Sequence, residues 1–398
     1  MNHDSPPLPR IPRGADEPDP AQVRARRALC ERVAQSPLPH LAGQPVPEAQ
    51  ARGNIENLIG FAQVPVGIAG PLRVDGAEGT YEVYVPLATT EGAMVASYGR
   101  GMRLACDEGA AIRARILADG LSQHPLLCYE SVDAARGAAA LLPGWREELA
   151  ALVSGQTNHG RLTSVEATVL GRRLLLRLVF TTGDAIGINM AARASDTIAR
   201  LVAERTGATA RYVHGQDVEK RANARALVEG RGRSVVAEAV VTRETLARIA
   251  RVTPEEMIAI ARSYAVGYAQ LGTQNWLVQA ANGLAALMLA CGQDVAYVTE
   301  SATGHLDLDC TEEGDLYVSA LLPSLLLGTV GGGSGQGTAR ECLQLLGCAG
   351  SGKVGRLCEI AAATVLAGDL SLMAAFCSHE FVAAHEGLGR NRPEGAAD

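Results

Sequence analysis

The stretch WLVQAANGLAALMLACGQD, from Trp276 to Asp294, is apolar except at Gln279 and Asn282 until Gly292 ends it. We predict a buried helix here. Helices that are apolar on every face are surrounded by protein, so we expect the fold to be built around it. The stretch falls short of the ~18 uninterrupted apolar residues that a membrane crossing needs. Burial requires hydrogen-bond partners for Asn282. Asp294 requires a nearby cation, because the negative end of the helix dipole disfavours a carboxylate.

The composition limits the class of protein. The 398 residues are 47% hydrophobic, which is enough for two or three packed domains. A net charge of −7 argues against wholesale nucleic-acid binding, so we expect small-molecule partners. The nine cysteines are odd in number and form no CxxC pair, which indicates a reducing, cytosolic compartment.

Segments of different character follow one another along the chain. Residues 1–20 are proline-rich and charged without an apolar signal-peptide core, which predicts a disordered tail. Residues 21–55 contain an arginine-rich helical segment and a proline-rich connector. Residues 125–213 mix helical and strand-like patterns, as expected of a compact α+β domain. The turn DAIGIN, from Asp184 to Asn189, leads into a helix whose N-terminus suits a phosphate, although it is not a GxGxxG motif.

Two charged residues are candidates for chemistry. Of the 36 basic residues only Lys220 and Lys353 are lysines. Lys220 lies in the polar crossing segment 214–222, which indicates that this position needs a compact point charge that arginine cannot replace. Two alternatives stay open: codon bias accounts for the many arginines, and the segment is an ordinary solvated loop. Glu91 follows two threonines in ATTEG, where it either caps the first turn of a helix or serves as a catalytic acid.

Two motif-like stretches are excluded. Residues 347–354 nearly match a P-loop, but Val354 stands where a magnesium-binding Ser or Thr belongs and a helix precedes the glycines. In HEFVAAH, His379 and His385 are six residues apart, so they do not form HExxH, and we expect no metal site.

Taken together, the motifs resemble the 3-hydroxy-3-methylglutaryl-CoA (HMG-CoA) reductases, most closely the class I type that uses NADPH. The resemblance runs from Glu56 to Arg390 in unbroken order. Its motifs are ENLIGFAQVPVGIAGPL, PLATTEGAMVAS, TGDAIGINM, EKRANARALVEGRGRSVV, ANGLAALMLACGQD, LPSLLLGTVGGG and SLMAAFCSHEFVAAH.

The resemblance implies an α+β fold and an intertwined dimer with active sites at the subunit interface. A large substrate and CoA domain (56–122 and 223–398) would surround the central helix, and a small ferredoxin-like cofactor domain (123–213) would be inserted in it. The crossing loop 214–222 would carry the catalytic lysine.

The resemblance also assigns the catalytic positions to Glu91, Lys220, Asp294 and His385. Lys220 would stabilise the oxygen that gains charge during hydride transfer to the thioester carbonyl, and Asp294 would position it. Glu91 would supply a proton to the aldehyde oxygen, and His385 would protonate the CoA thiolate. Glycines after His385 would allow closure and reopening around each complex.

Cofactor and substrate contacts are implied in the same way. NADPH would contact Asp184, Gly187, Asn189, Met190 and Arg390, with NADH left open because the sequence does not identify the residues that read the 2′-phosphate. CoA is expected near the ENLIG segment and Arg100. The remaining substrate-binding positions fall on Gln123, His214, Arg221 and Asn282.

Several positions depart from the family pattern. Gln123 stands where an arginine usually grips the acid end of the substrate, so a fixed positive charge is missing. The other departures are His214 for serine, Glu219 for aspartate, Arg221 for lysine, Gln279 for histidine and Ala384 for serine. His214 or Arg221 could supply the missing charge.

The sequence and the resemblance therefore predict a cytoplasmic oxidoreductase of the mevalonate pathway of isoprenoid biosynthesis, a homodimer or a higher homo-oligomer. It would reduce HMG-CoA to mevalonate with NADPH, and would need no metal, membrane or nucleic acid. Two alternatives stay open: a reductase of another acyl-CoA thioester, and a catalytically weak relative retained for binding.

Overall fold

The computed structural model describes residues 7–13, 19–214, 218–273 and 275–378. The helices are α1 (Pro20–Ala34), α2 (Met94–Ala105), α3 (Val132–Ser154), α4 (Ile188–Thr206), α5 (Ala224–Val228), α6 (Arg243–Thr245), α7 (Pro254–Leu271), α8 (Ala280–Ala290), α9 (Val298–Ser301), α10 (Gly337–Leu345) and α11 (Val354–Cys377). The strands are β1 (Val66–Gly76), β2 (Gly79–Ala88), β3 (Ile112–Gln123), β4 (Leu126–Cys128), β5 (Arg161–Leu170), β6 (Arg173–Thr181), β7 (Ala210–Tyr212), β8 (Gly232–Val241), β9 (His305–Cys310) and β10 (Leu316–Leu325).

The larger sheet has the strand order β2-β1-β3-β8-β10-β9. Its neighbours are antiparallel except β1 and β3, which pair in parallel. Strand β8 alternates buried and partly exposed residues along most of its length, as expected where one face of a sheet meets the core. The predicted mixed α and β character of the chain is confirmed.

Strand β3 joins the two sheets. Its residues 113–120 pair with β8, and its last three residues, Leu121–Gln123, pair with β6. The second sheet has the order β7-β4-β6-β5 with every pair antiparallel. Helix α3 follows β4 and helix α4 follows β6, so the chain order from β4 to β7 is βαββαβ.

The helix at the centre of the larger domain is α11 and not α8. Almost every side chain of α11 from Leu357 to Ala375 is buried, and the helix packs against α2, α8, β3 and β8. Helix α8 has only 11 residues, and its Asn282 is exposed. The prediction of a buried helix within Trp276–Asp294 is confirmed for Ala280–Ala290, but the predictions that this helix is the central one and that it buries Asn282 are wrong. Both helices are apolar in composition, so composition alone does not distinguish them. Which of the two lies at the centre depends on how the strands pack around each one.

Helices α2 and α11 approach each other closely. A Cβ added to Gly101 would lie 1.7 Å from the carbonyl oxygen of Ala367, so only glycine fits this crossing. The neighbouring Arg100 donates from Nε to Ser371 Oγ at 3.0 Å and from Nη2 to the Ser371 carbonyl at 2.6 Å. This arginine, expected near CoA, therefore also joins the two helices.

Among the described residues, α11 is long and apolar enough to cross a membrane by composition alone. However, 83% of its most apolar window is buried within the protein, as in the core helix of a globular domain.

Part of the predicted disordered tail is packed. The Tyr84 hydroxyl of β2 donates to the carbonyl of Pro9, and the Leu8 amide donates to Glu82. Residues 7–13 thus lie against the β1–β2 hairpin, while 1–6 and 14–18 fall outside the described residues.

Candidate active site

Lys220 and Asp294 meet, as the sequence predicted. The Lys220 Nζ lies 2.7 Å from Asp294 Oδ2, and the side chains are 39% and 46% exposed. The other carboxylate oxygen, Oδ1, accepts from the Ala296 amide at 3.1 Å and begins a short 3₁₀ turn. The expectation that Asp294 has a cation beside it is confirmed. Because the pair is half-exposed, a substrate carbonyl can approach the ammonium.

Tyr297 completes the surroundings of the ammonium. The Lys220 Nζ lies 4.8 Å from the centroid of the Tyr297 ring, within the range of a cation–π contact. The Tyr297 hydroxyl donates to Glu219 at 2.7 Å. Burial, followed by the hydrogen bond to Glu219, raises the pKa of Tyr297 well above its usual range, so the ring stays neutral. The sequence motifs gave no signal for this tyrosine.

A buried ion pair lies beneath the lysine. Arg231 Nη1 donates to both Glu300 oxygens at 3.0 Å, and the two side chains are 2% and 0% exposed. Glu300 also accepts from the Lys220 amide at 2.7 Å. Burial raises the pKa of Glu300, while Arg231 opposes the rise. Sequence analysis missed both residues, because Glu300 lies 80 positions from Lys220 and carries no motif signal.

Glu91 lies in a turn and not in the first turn of a helix. Helix α2 begins only at Met94, after Ala93 in a left-handed conformation (φ 66°). The Glu91 amide donates to Thr89 Oγ1 at 3.0 Å, and its exposed side chain caps no helix among the described residues. Capping therefore does not explain this carboxylate. The structure of the single chain does not join it to Lys220.

The predicted substrate-binding residues are dispersed. His214, Arg221 and Asn282 are exposed, and Arg221 Nη1 donates to the Glu219 carbonyl at 3.1 Å. Gln123 is 0% exposed, and neither atom of its side-chain amide has a hydrogen-bond partner. A sealed, unpaired amide is costly and cannot touch a ligand in this conformation.

Asp184 caps the core helix. Its carboxylate accepts from the amides of Gly352 (2.8 Å), Lys353 (3.1 Å) and Val354 (3.2 Å) where α11 begins. The P-loop-like glycine turn thus binds the protein's own carboxylate. This use of both Asp184 oxygens leaves the carboxylate poorly placed for the cofactor contact that the resemblance implied.

Two other predicted cofactor residues, Asn189 and Met190, line a cavity at the start of α4, and Gly187 lies just before that helix. Gly187 precedes the helix with φ 83°, and a Cβ there would lie 2.4 Å from Thr182 Cγ2, so the turn requires glycine. Asn189 and Met190 line the adjacent cavity of about 350 Å³. Its remaining lining residues are Gln156, Thr157, Arg193 and Ala194. The position combines a helix N-terminus with an exposed arginine, which suits a phosphate.

Two predicted site residues, His385 and Arg390, lie outside the described residues. Within the described ranges no group of three or more His, Cys, Asp or Glu side chains could hold a metal ion.

Comparisons with known proteins bear on the family of the chain. The family model for hydroxymethylglutaryl-coenzyme A reductase matches residues 22–390. Proteins named 3-hydroxy-3-methylglutaryl-coenzyme A reductase from Aeropyrum pernix and Pyrococcus abyssi are 40% and 39% identical over 92% of this chain, covering 89% and 92% of theirs. The fold is similar to that of the class II enzyme from Streptococcus pneumoniae, solved bound to NADPH, with a TM-score of 0.73 and 18% identity over 89% of this chain and 96% of that one. The chain therefore belongs to the hydroxymethylglutaryl-coenzyme A reductase family.

Proposed function

We propose that the chain is an enzyme that reduces HMG-CoA to mevalonate and free CoA with two molecules of NADPH. The observation that carries the proposal is the 2.7 Å pair of Lys220 and Asp294 on an accessible face. Reduction of a thioester to an alcohol takes four electrons, so two hydrides arrive in succession, with a hemithioacetal and then an aldehyde between them. Each hydride leaves negative charge on a carbonyl oxygen.

Lys220 is the group that stabilises this charge. Its ammonium is already ordered by Asp294 and the Tyr297 ring, so little reorganisation is needed as the oxygen becomes anionic. Asp294 balances the lysine charge between turnovers. Loss of one such preorganised donor typically lowers kcat about 10²–10³-fold.

Glu91 and His385 serve as proton donors. Glu91 is exposed, and its carboxylate is not used as a helix cap, so it is available to the aldehyde oxygen in the second hydride step. His385 protonates the CoA thiolate when the hemithioacetal collapses.

Residues 123–213 form the nicotinamide-cofactor domain. Their βαββαβ order and the strand order β7-β4-β6-β5 are those of a ferredoxin-like unit inserted in the larger domain of residues 56–122 and 223–398. We assign the cavity beside Asn189 and Met190 to the dinucleotide, with Gly187 providing the close turn.

Arg193 is the residue that distinguishes NADPH from NADH in this proposal. Its side chain lies at the cavity and has no ion-pair partner among the described residues, so it is available to a 2′-phosphate. Arg193→Ala is expected to raise KM for NADPH about tenfold or more, the loss of one charge-assisted hydrogen bond, while KM for NADH stays unchanged. Steady-state kinetics with both cofactors measure this.

The matched control is Arg200→Ala, two turns further along α4 and also exposed. It should leave both KM values unchanged. Equal losses with NADPH and NADH at Arg193 would mean that the arginine does not bind the phosphate.

The enzyme is proposed to be an intertwined homodimer with active sites between subunits. Ile59 is fully exposed and Phe61 is 41% exposed in the extended segment 55–66, and Leu289 of α8 is 46% exposed. Such apolar residues favour coverage by a second copy. A partner would also bring the Glu91 of one subunit to the Lys220 of the other, which share no hydrogen bond or ion pair among the described residues of one chain.

The enzyme is further proposed to be cytoplasmic and of class I. The nine cysteines are all free, as in a reducing compartment. The chain is 18% identical to the Streptococcus pneumoniae class II enzyme, against 35–40% for relatives from archaea and rice, which favours a separate class.

One observation favours a second candidate substrate. Gln123 takes the position of the expected arginine, and its amide is sealed from solvent, so it offers no charge to the distal carboxylate of HMG. His214 and Arg221 are exposed in the crossing loop, and in the leading proposal they bind that carboxylate. If they do not, the enzyme reduces an acyl-CoA with an uncharged end.

Oxidation of NADPH by the purified protein with a panel of acyl-CoA thioesters separates the candidates. We expect absorbance at 340 nm to fall with HMG-CoA and mevalonate to accumulate at half the molar amount of NADP⁺. Turnover with another thioester alone would establish the second candidate. Saturable NADPH binding without turnover on any thioester would identify a binding relative and contradict the proposed enzyme.

A further inference from the structure

Lys220 has an unusual backbone conformation. Its backbone φ angle is +55°, a left-handed conformation that residues other than glycine rarely adopt. Its side chain nevertheless points to Asp294 and Tyr297. Such a conformation persists only where surrounding contacts impose it, and relaxation would redirect the ammonium.

Glu300 supplies such a contact. Its Oε1 accepts the Lys220 amide at 2.7 Å. Glu300 lies in the short helix α9, which precedes β9. Its carboxylate is completely buried and therefore has little freedom to move. A fixed acceptor for one amide at a strained residue holds the direction of that peptide unit.

Arg231 in turn fixes Glu300. Its Nη1 bridges both carboxylate oxygens, and its Nε donates to the Ser122 carbonyl at 3.1 Å. The Arg231 amide donates to Ser324 Oγ at 3.0 Å. The arginine is thereby connected to the end of β3, which pairs with the smaller sheet, and to β10 of the larger sheet.

A second connection from Arg231 reaches the other side of the lysine. Its Nη2 lies 3.4 Å from Glu219 Oε2, and Glu219 Oε1 accepts the Tyr297 hydroxyl at 2.7 Å. The Tyr297 ring faces the Lys220 ammonium. The buried guanidinium of Arg231 thus supports the backbone of Lys220 through Glu300. It also supports the Tyr297 ring, which faces the Lys220 ammonium, through Glu219.

We propose that Arg231 and Glu300 are positioning residues that hold Lys220 in its left-handed conformation, so that its ammonium faces Asp294 and the substrate carbonyl. The proposal rests on the proposed role of Lys220 but concerns its geometry. It can therefore be tested without turnover.

Two double variants test it. Arg231→Met with Glu300→Met removes the buried charges together with the acceptor for the Lys220 amide. Arg231→Gln with Glu300→Gln removes the same charges but keeps a side-chain oxygen that can accept from this amide. Removing both partners together avoids leaving a single buried charge unpaired, and circular dichroism and thermal melting check that each protein folds.

The two lysines provide a direct readout. Trace labelling with isotopically coded acetic anhydride, followed by mass spectrometry, gives the reactivity of Lys220 relative to Lys353 in the same molecule. Lys353 pairs with Glu78 at 3.3 Å and is the internal reference.

We expect the Met pair to raise the Lys220/Lys353 reactivity ratio several-fold, because the Lys220 ammonium leaves Asp294. We also expect kcat to fall about 10²-fold with KM little changed. The Gln pair should retain the wild-type ratio and most of kcat.

Glu341→Met is the matched control. Glu341 is 4% exposed and accepts the amides of His40 and Leu41, each at 2.8 Å, so it performs the same structural task at another place. Its variant should be less stable without a change in the lysine ratio or in kcat. An unchanged ratio in the folded Met pair would overturn the positioning role. Full turnover by Lys220→Ala would instead overturn the proposed mechanism and leave the labelling result intact.

Discussion

Lys220→Ala is expected to lower kcat/KM for HMG-CoA by about 10²–10³-fold while the protein stays folded. The ammonium is the charge that would stabilise the developing oxyanion, and no other described side chain is paired with Asp294. The ion pair is half-exposed, so its loss should cost less than about 1 kcal/mol of the free energy of unfolding. NADPH oxidation and urea unfolding measure the two effects.

Lys353→Ala controls for the loss of a lysine. Its Nζ pairs with Glu78, far along the sequence from the crossing loop, and it should retain full turnover. Retained turnover in Lys220→Ala would remove the proposed mechanism. Unfolding of that variant would mean that the lysine is structural.

The second large effect is a pH dependence of stability that arises from Asp369. This residue of α11 is 0% exposed, and its carboxylate accepts from the amides of Val278 (3.0 Å) and Gln279 (2.8 Å). Burial raises the pKa of Asp369 to about 7, and the two amides only partly oppose the rise. The neighbouring Tyr98 and Tyr268 have raised pKa values and stay neutral in this range.

The raised pKa of Asp369 determines whether the free energy of unfolding rises or falls with pH. Below the unfolded pKa of about 4, Asp369 is protonated in both states and its full contribution to stability is present. As the pH rises towards 7 the unfolded state releases its proton first, so the free energy of unfolding falls, by up to about 4 kcal/mol above pH 7. Asp369→Asn should flatten the decline that urea unfolding measures between pH 5 and 8. An equal slope in wild type and variant would contradict the assignment. Glu300 and Glu359 also have raised pKa values and account for the slope that remains.

The pairing of Lys220 with Asp294 was predicted partly from local physics, and the family resemblance supplied the rest. A carboxylate after an apolar helix needs a cation, and one of only two lysines in the chain lies in a polar crossing segment. Strands β5 and β6 within residues 125–213 could also be predicted, since burial of one face of a sheet imposes a period of two, as β6 shows.

The identity of the central helix could not be predicted in the same way. Segments 276–294 and 354–377 are both apolar on all sides, and the choice depends on which strands cover each one. The roles of Arg231 and Glu300 depend on contacts across 69 positions of sequence, which no spacing reveals. The capping role of Asp184 likewise requires that residues 168–170 positions away come beside it.

Asp184 receives five backbone amides in all. Its carboxylate binds three at the start of α11, and its carbonyl accepts from Thr329 at 2.8 Å and Val330 at 3.3 Å. This residue joins the turn before α4 to the most enclosed helix of the molecule. Any rotation of the smaller sheet relative to the larger sheet that keeps these hydrogen bonds would have to occur about Asp184. In the proposed enzyme, a rotation that accompanies exchange of the dinucleotide between the two hydride transfers would therefore have its axis near Asp184.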